Sequence, residues 1–118
     1  MTTGPLEDHE LEVGTAHLAA ALESGSATVI DVREQREWDG GRIPGVRHIP
    51  LDRLAEQAGE IDADRPVIFQ CLVGNRSLMA AQAFRRAGFE AYSLAGGITA
   101  WAAEGRPLEP DDPVIVGH

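Results

Sequence analysis

Three short strand-like runs, ATVIDV (27–32), PVIFQ (66–70) and EAYSLAGG (90–97), are separated by stretches of helical character. This alternation constrains the fold more than any other feature. Runs almost continuous in apolar residues are how strands buried on both faces read. With helices between them, successive strands cannot pair as hairpins, and each must return by a crossover. The pattern therefore predicts βαβ units, an α/β class and a mainly parallel sheet covered on both faces. Ligand sites in such sheets lie beyond the carboxyl ends of the strands.

The rest of the chain fits around that frame. ELEV (10–13) reads as a short strand, and TAHLAAALESG (15–25) as a helix with Leu18 and Leu22 four apart and Gly25 suited to close it. REQREWDGG (33–41) is short and charged and predicts one or two helical turns with a solvated charged face. RIPGVRHIP (42–50) holds the turn dipeptide Pro44–Gly45, then an extended piece from Val46 to Ile49. LDRLAEQAG (51–59) predicts a helix with Leu51, Leu54 and Ala55 on one face. A helix over 77–87 points Leu78, Ala81 and Phe84 at a core and ends at Gly88; ITAWAAEG (98–105) forms a last helix that Pro107 prevents from extending. The chain reads as a single domain over 1–118, its core about 11–108, with 1–10 and 109–118 as extensions. The tail, LEPDDPVIVGH, either straps back onto the surface or stays mobile.

A domain of 118 residues buries roughly two thirds of its unfolded surface and needs neither disulfide nor metal to hold together. The lone cysteine, Cys71, excludes an internal disulfide and Cys-x-x-Cys zinc sites, and His9, His17, His48 and His118 form no i, i+4 pair. No metal site and no cofactor are expected. The start, MTTGPLEDHE, has neither the basic nor the apolar region of a secretory signal, and no apolar run approaches the roughly 20 residues of a membrane span. The expectation is a soluble cytoplasmic protein with a reduced thiol. A net charge of -9 and a pI near 4.7 disfavour nucleic acid, and an anionic substrate would need a local positive site.

Cys71 stands where the strand rule points. CLVGNRS (71–77) joins the PVIFQ strand to the helix expected near Ser77. Unpaired N–H groups in a first helical turn amount to roughly half a positive charge, which favours a thiolate. Helix N-termini and nearby cations can bring a cysteine pKa from about 8.5 to roughly 3.5–7.5, and Arg76 adds a permanent charge. Gly74 can take a positive φ, and Asn75 tolerates it better than most residues. Such a loop can turn successive N–H groups onto one sulfur or anion. The arrangement suits an activated nucleophile; a lone cysteine in such a domain is also commonly an inert buried residue.

CLVGNRS resembles the active-site loop of the rhodanese family, Cys-x-x-Gly-x-Arg-[Ser/Thr/Ala]. VIDVREQREWDGGRIPGVRHIPL (29–51) and LAGGITAWAAEGRPL (94–108) resemble two further family segments, in the family's order. The resemblance covers about 11–108. It implies a small doubly wound domain with a five-stranded parallel sheet flanked by helices, and a sulfurtransferase in which Cys71 takes a sulfane sulfur from thiosulfate or a persulfide and hands it to cyanide or a thiol. It implies that the backbone N–H groups of Leu72, Val73, Gly74, Asn75 and Arg76 cradle the persulfide, with Ser77 either donating to the sulfur or capping the helix. The partners it implies are a small sulfur donor or a persulfidated protein and a thiol acceptor. Phosphatases of similar architecture use Cys-x5-Arg; four residues separate Cys71 from Arg76 here, a narrower loop better fitted to one sulfur. A phosphatase-like enzyme and a noncatalytic binding module are the alternatives.

Asp31 and Arg33 end the first core strand on the side of the loop and read as supporting residues, held in a structural ion-pair network. Arg76 either faces a donor anion or pairs with a carboxylate such as Asp31 or Glu37. Trp38 and Trp101 read as packing residues. Arg42 stands where the family usually has His, and Gln70 where an apolar residue is commoner; Gln70 either reaches the site or needs a partner if buried. The apolar tip, Leu72 and Val73, pulls weakly on a dianion, which favours a persulfidated protein or a persulfidated small thiol as donor over thiosulfate.

Overall fold

The computed structural model describes residues 11–117. In chain order the elements are β1 (Glu12–Val13), α1 (Thr15–Ser24), β2 (Thr28–Asp31), α2 (Gln35–Gly40), β3 (Arg47–His48), α3 (Leu51–Gln57), β4 (Val67–Gln70), α4 (Asn75–Arg86), β5 (Ala91–Leu94) and α5 (Gly97–Ala103). The strands form one sheet in the order β1-β5-β4-β2-β3, and every pairing is parallel. This is the α/β doubly wound architecture that alternating buried strands and helices predict. The first two short strands of the sequence reading, at 10–13 and 46–49, become the two edges. Glu10 and the expected extension 1–10 lie outside the described residues.

The centre of the sheet is β4, whose four residues are all buried. Its side chains alternate between two cores. Val67 and Phe69 pack with Ile30, Leu54, Ala81 and Phe84 on one face, while Ile68 packs with Leu18, Val29, Leu94 and Trp101 on the other. Register sets Phe69 opposite both Ile30 and Ser93, and Gln70 opposite Asp31. The carboxyl ends of β2 and β4 therefore finish level, and the two sequence segments richest in chemistry meet there.

Three local readings change. The helix after Cys71 starts at Asn75, not near Ser77, because Gly74 adopts φ 112° and serves as the N-cap, its carbonyl accepting from Leu78 N–H at 3.1 Å. Ala55 is exposed, since Leu54 and the partly buried Leu51 suffice to seat α3. The charged run at 33–41 is not wholly a solvated face: Arg33 and Glu37 are completely buried. The tail takes the strap alternative. Glu109 bridges to Arg42, Val114 N–H donates to Gly40 O at 2.7 Å, and Leu108 and Ile115 pack onto the second core. A Cβ at Gly40 would stand 2.7 Å from Val114 O, so the strap needs a glycine there.

Candidate active site

The site is assembled from the end of β2 outward. Arg33 is fully buried, and its guanidinium donates to one carboxylate and two carbonyls. Its Nε donates to both Asp31 oxygens at 3.0 Å, Nη2 to Asp31 Oδ2 and to Gly41 O at 2.8 Å, and Nη1 to Glu37 O at 3.2 Å. A buried guanidinium is tolerated because its planar fork meets a carboxylate and two carbonyls at once. These bonds fix α2, a helix too short to hold itself in place. Glu34 and Glu37 add a capping box at its start.

With α2 fixed, Glu37 points at the cysteine loop. Its two carboxylate oxygens accept from Arg76 Nη1 at 2.8 Å and Nη2 at 2.9 Å. Burial pushes the Glu37 carboxyl up, but the hydrogen bond from Arg76, the backbone hydrogen bond at Glu34 and the charges of Arg76 and Arg33 outweigh it, lowering the pKa to about 2. Arg76 is correspondingly raised, chiefly by its hydrogen bond to Glu37. So Arg76 takes the carboxylate-pairing alternative, with Glu37 as partner, and its fork is committed to shaping the loop.

Within the loop, Cys71 is 1 % exposed. Its Sγ accepts from Gly74 N–H at 3.2 Å and Ser77 N–H at 3.4 Å, and the thiol reaches Ser77 Oγ at 3.4 Å. The amides that reach the sulfur are thus those of Gly74 and Ser77, and the second lies one residue past the expected stretch. Ser77 is not the helix cap, a place Gly74 holds. Its hydroxyl instead lies 3.3 Å from Gly74 O and 2.7 Å from Ser93 Oγ. From the far side, α5 docks on the loop: Ile98 N–H donates to Cys71 O at 2.9 Å and Thr99 N–H to Leu72 O at 3.1 Å. Gly97, at φ 58°, permits this approach, because a Cβ there would meet Cys71 O and stand 2.5 Å from Leu72 O.

A cleft of about 520 Å³ borders the loop, lined by Val32, Glu34, Gln35, Pro50, Leu51, Asp52 and Arg76. Its charge is mainly acidic, since Arg76 is already bound to Glu37. Val73 projects from the loop tip, 52 % exposed, and Asn75 is exposed beside it. Among the described residues, no group of three or more His, Cys, Asp or Glu side chains is placed to hold a metal ion, and no helix is long and apolar enough to cross a membrane.

The candidates from the sequence therefore gather at one end of the sheet. Cys71, Gly74 and Ser77 converge on the sulfur, Arg76 braces the loop, and Asp31 with Arg33 forms the network behind it. Leu72 contributes its carbonyl to α5. Trp101 is core, with Nε1 donating to Pro107 O at 2.7 Å, and Trp38 stacks on His48 at 4.7 Å. Gln70 does not reach a partner: both polar atoms of its buried amide are unpaired. Sequence reasoning missed Ser93. The available signal was a lone hydroxyl at an inward position of an otherwise apolar strand.

A family model, the Rhodanese-like domain, matches residues 15–104. The chain belongs to the rhodanese-like family. The uncharacterized protein YqhL of Bacillus subtilis is 44% identical over 79 residues, which span 66% of this chain and 63% of that one, less than two thirds of its length. YtwF of the same organism, a candidate sulfurtransferase, is 33% identical over 97 residues, 81% of this chain and 94% of that one. A rhodanese-related protein from Thermoplasma volcanium superposes with a TM-score of 0.77 at 31% identity, covering 83% of this chain and 96% of that one. The rhodanese-like match and the similarity to YtwF bring sulfurtransferase chemistry into view at family level.

Proposed function

We propose that this rhodanese-like domain is a sulfurtransferase that carries a sulfane sulfur on Cys71. The observation that carries the reading is the sulfur's seat at the start of α4, a helix of 12 residues, with the Gly74 and Ser77 amides directed at Sγ. Such preorganised donors favour an anionic sulfur and cost no rearrangement during reaction. The Cys71 thiolate attacks the outer sulfur of a donor. A new S–S bond forms on Cys71 as the donor's S–S bond breaks, and the leaving sulfite or thiolate takes the electron pair. An acceptor thiolate or cyanide then attacks the outer sulfur of Cys71–S–S⁻, which releases the product and restores the thiolate. No second cysteine is available to intercept the intermediate, so the acceptor comes from outside. In this reading the N–H groups of Leu72, Val73, Asn75 and Arg76 receive the outer sulfur of the persulfide.

The donor we favour is a persulfidated protein or a small persulfide. Arg76 is neutralised by Glu37, the neighbouring cleft carries Glu34 and Asp52, and Val73 is an apolar tip. These features give a dianion such as thiosulfate little attraction. The setting we propose is cytoplasmic, where the thiol stays reduced. A phosphatase would need the arginine fork for phosphoryl oxygens, and here it is held by Glu37.

Intact mass after brief exposure to thiosulfate, or to a small-molecule persulfide, tests the reading. A gain of about 32 Da on the wild type and not on Cys71→Ser marks the persulfide, and a larger gain from the persulfide donor supports the donor assignment. No gain with either donor sinks sulfur transfer and leaves a recognition module. Phosphate-ester hydrolysis that depends on Cys71 would replace it with the phosphatase.

A further inference from the structure

Ser93 sits on β5, completely buried, with its hydroxyl 2.7 Å from Ser77 Oγ. Ser77 Oγ is in turn 3.4 Å from Cys71 Sγ and 3.3 Å from Gly74 O. Three groups thus surround a hydroxyl that has one proton to give. We propose that Ser93 is a positioning residue that directs the Ser77 hydroxyl at the Cys71 sulfur. The inference rests on the reading of Cys71 as a sulfur carrier.

The proton count carries it. A neutral thiol donates to Ser77 Oγ, and Ser77 then gives its proton to Gly74 O or Ser93 Oγ. A thiolate or persulfide anion only accepts, so Ser77 must turn its proton toward the sulfur. Ser77 Oγ then offers lone pairs and no proton to Ser93, which donates its own. The 2.7 Å separation suits an O–H···O bond of that direction. An O–H that receives a hydrogen bond is a stronger donor, so the Ser93→Ser77→sulfur chain is cooperative. Ser93 touches neither substrate nor sulfur and acts through Ser77. Without it, Gly74 O competes with the sulfur anion for the Ser77 proton. Arg76, next to Ser77 in the chain, feels the charge of Cys71 and is fixed by Glu37.

The test is the pH dependence of Cys71 alkylation by iodoacetamide in the full chain. In Ser93→Ala the midpoint of the profile moves alkaline by roughly half a unit to one unit, the loss of one hydrogen bond in a chain. The limiting rate at high pH, which reports access to the sulfur, stays within about twofold. Ser93→Thr retains the wild-type midpoint, while Ser93→Val, of the same shape without the hydroxyl, moves as Ser93→Ala does. This pair decides the matter if Ser93→Ala fails to fold. In a Ser77→Ala background, Ser93→Ala produces no further movement. An unmoved midpoint in Ser93→Ala, equal midpoints in Ser93→Thr and Ser93→Val, or an undiminished effect without Ser77 each overturns the proposal. Because alkylation needs no sulfur donor, these outcomes are independent of whether the wild type takes up sulfur.

Discussion

Glu37 holds Arg76 with both carboxylate oxygens, at 2.8 and 2.9 Å, across 39 positions of sequence. The pair joins α2 to the cysteine loop. It continues through Arg33, whose guanidinium binds the Glu37 and Gly41 carbonyls and the Asp31 carboxylate. The loop that presents Cys71 is therefore braced from β2, through a chain of charge-assisted bonds, before any substrate arrives.

Glu37→Gln keeps the shape of the brace and removes its charge. One amide oxygen can accept from Arg76, and the amide nitrogen faces a guanidinium it cannot bond. We expect a stability loss of roughly 2–4 kcal/mol, a little under the roughly 3–5 kcal/mol of a fully broken buried pair because one hydrogen bond to Arg76 survives, and slower sulfur uptake at Cys71. Urea unfolding and the rate of the persulfide mass gain measure the two effects. Unchanged values in both would remove Glu37 from the brace.

The same pair predicts acid sensitivity of a definite sign. The folded pKa of Glu37, about 2, lies below the ordinary value of 4.5. Its contribution is therefore fully present above pH 4.5 and is lost as pH falls toward 2, with a full size of roughly 3 kcal/mol. The stability gap between wild type and Glu37→Gln should shrink over that window. A constant gap from neutral pH to pH 2 would contradict the assignment.

Arg33→Met leaves the Asp31 carboxylate buried without its cation and removes the guanidinium donors from the Glu37 and Gly41 carbonyls. The cost should be about 3–5 kcal/mol, lowering Tm by more than about 10 °C. Arg33→Lys recovers little, since an ammonium cannot reproduce the fork. Calorimetry on the three proteins distinguishes lost charge from lost geometry.

Gly97→Ala places a methyl against the carbonyls of Cys71 and Leu72 at a residue whose φ is 58°. Strain and overlap together should cost roughly 2–4 kcal/mol and shift the loop against α5. Gly59→Ala is the control, because a Cβ there meets nothing within 4 Å. Equal stability of the two variants would show that α5 does not press on the loop.

Gln70→Met should raise stability. Both amide atoms of Gln70 are buried and unpaired, and replacing them with an apolar chain of like length recovers roughly 1–2 kcal/mol. Gln70 alternates in the strand with Phe69 and Cys71, so its side chain leaves the sheet on the face away from the thiol. Sulfur uptake should be unchanged. A variant less stable than wild type would mean that the amide has a partner in solution.

Much of this protein was legible along the chain. Runs such as PVIFQ and ATVIDV have a composition that only a doubly covered strand accommodates, and the helical stretches between them force crossovers, so the parallel sheet follows from local pattern. The place of Cys71 at a strand-to-helix junction is equally local, since Gly74 and the helix start lie within a few residues of it. The harder parts involve residues that pattern alone does not pair. Glu37 sits in a run whose charge predicts exposure, and its burial follows from Arg33 and Arg76 closing around it. Ser93 is one polar residue in a short strand until register sets β5 beside β4 and turns its hydroxyl toward Ser77. The sequence by itself determined the elements, their order and the place of Cys71 at a strand-to-helix junction, because periodicity and turn chemistry act over a few residues. The tertiary structure decided which charge brackets the loop, which hydroxyl stands behind Ser77 and which amide is left unpaired. Those outcomes depend on distances of a few ångströms between groups far apart in the chain, and hydrogen bonds and desolvation are decided at that range.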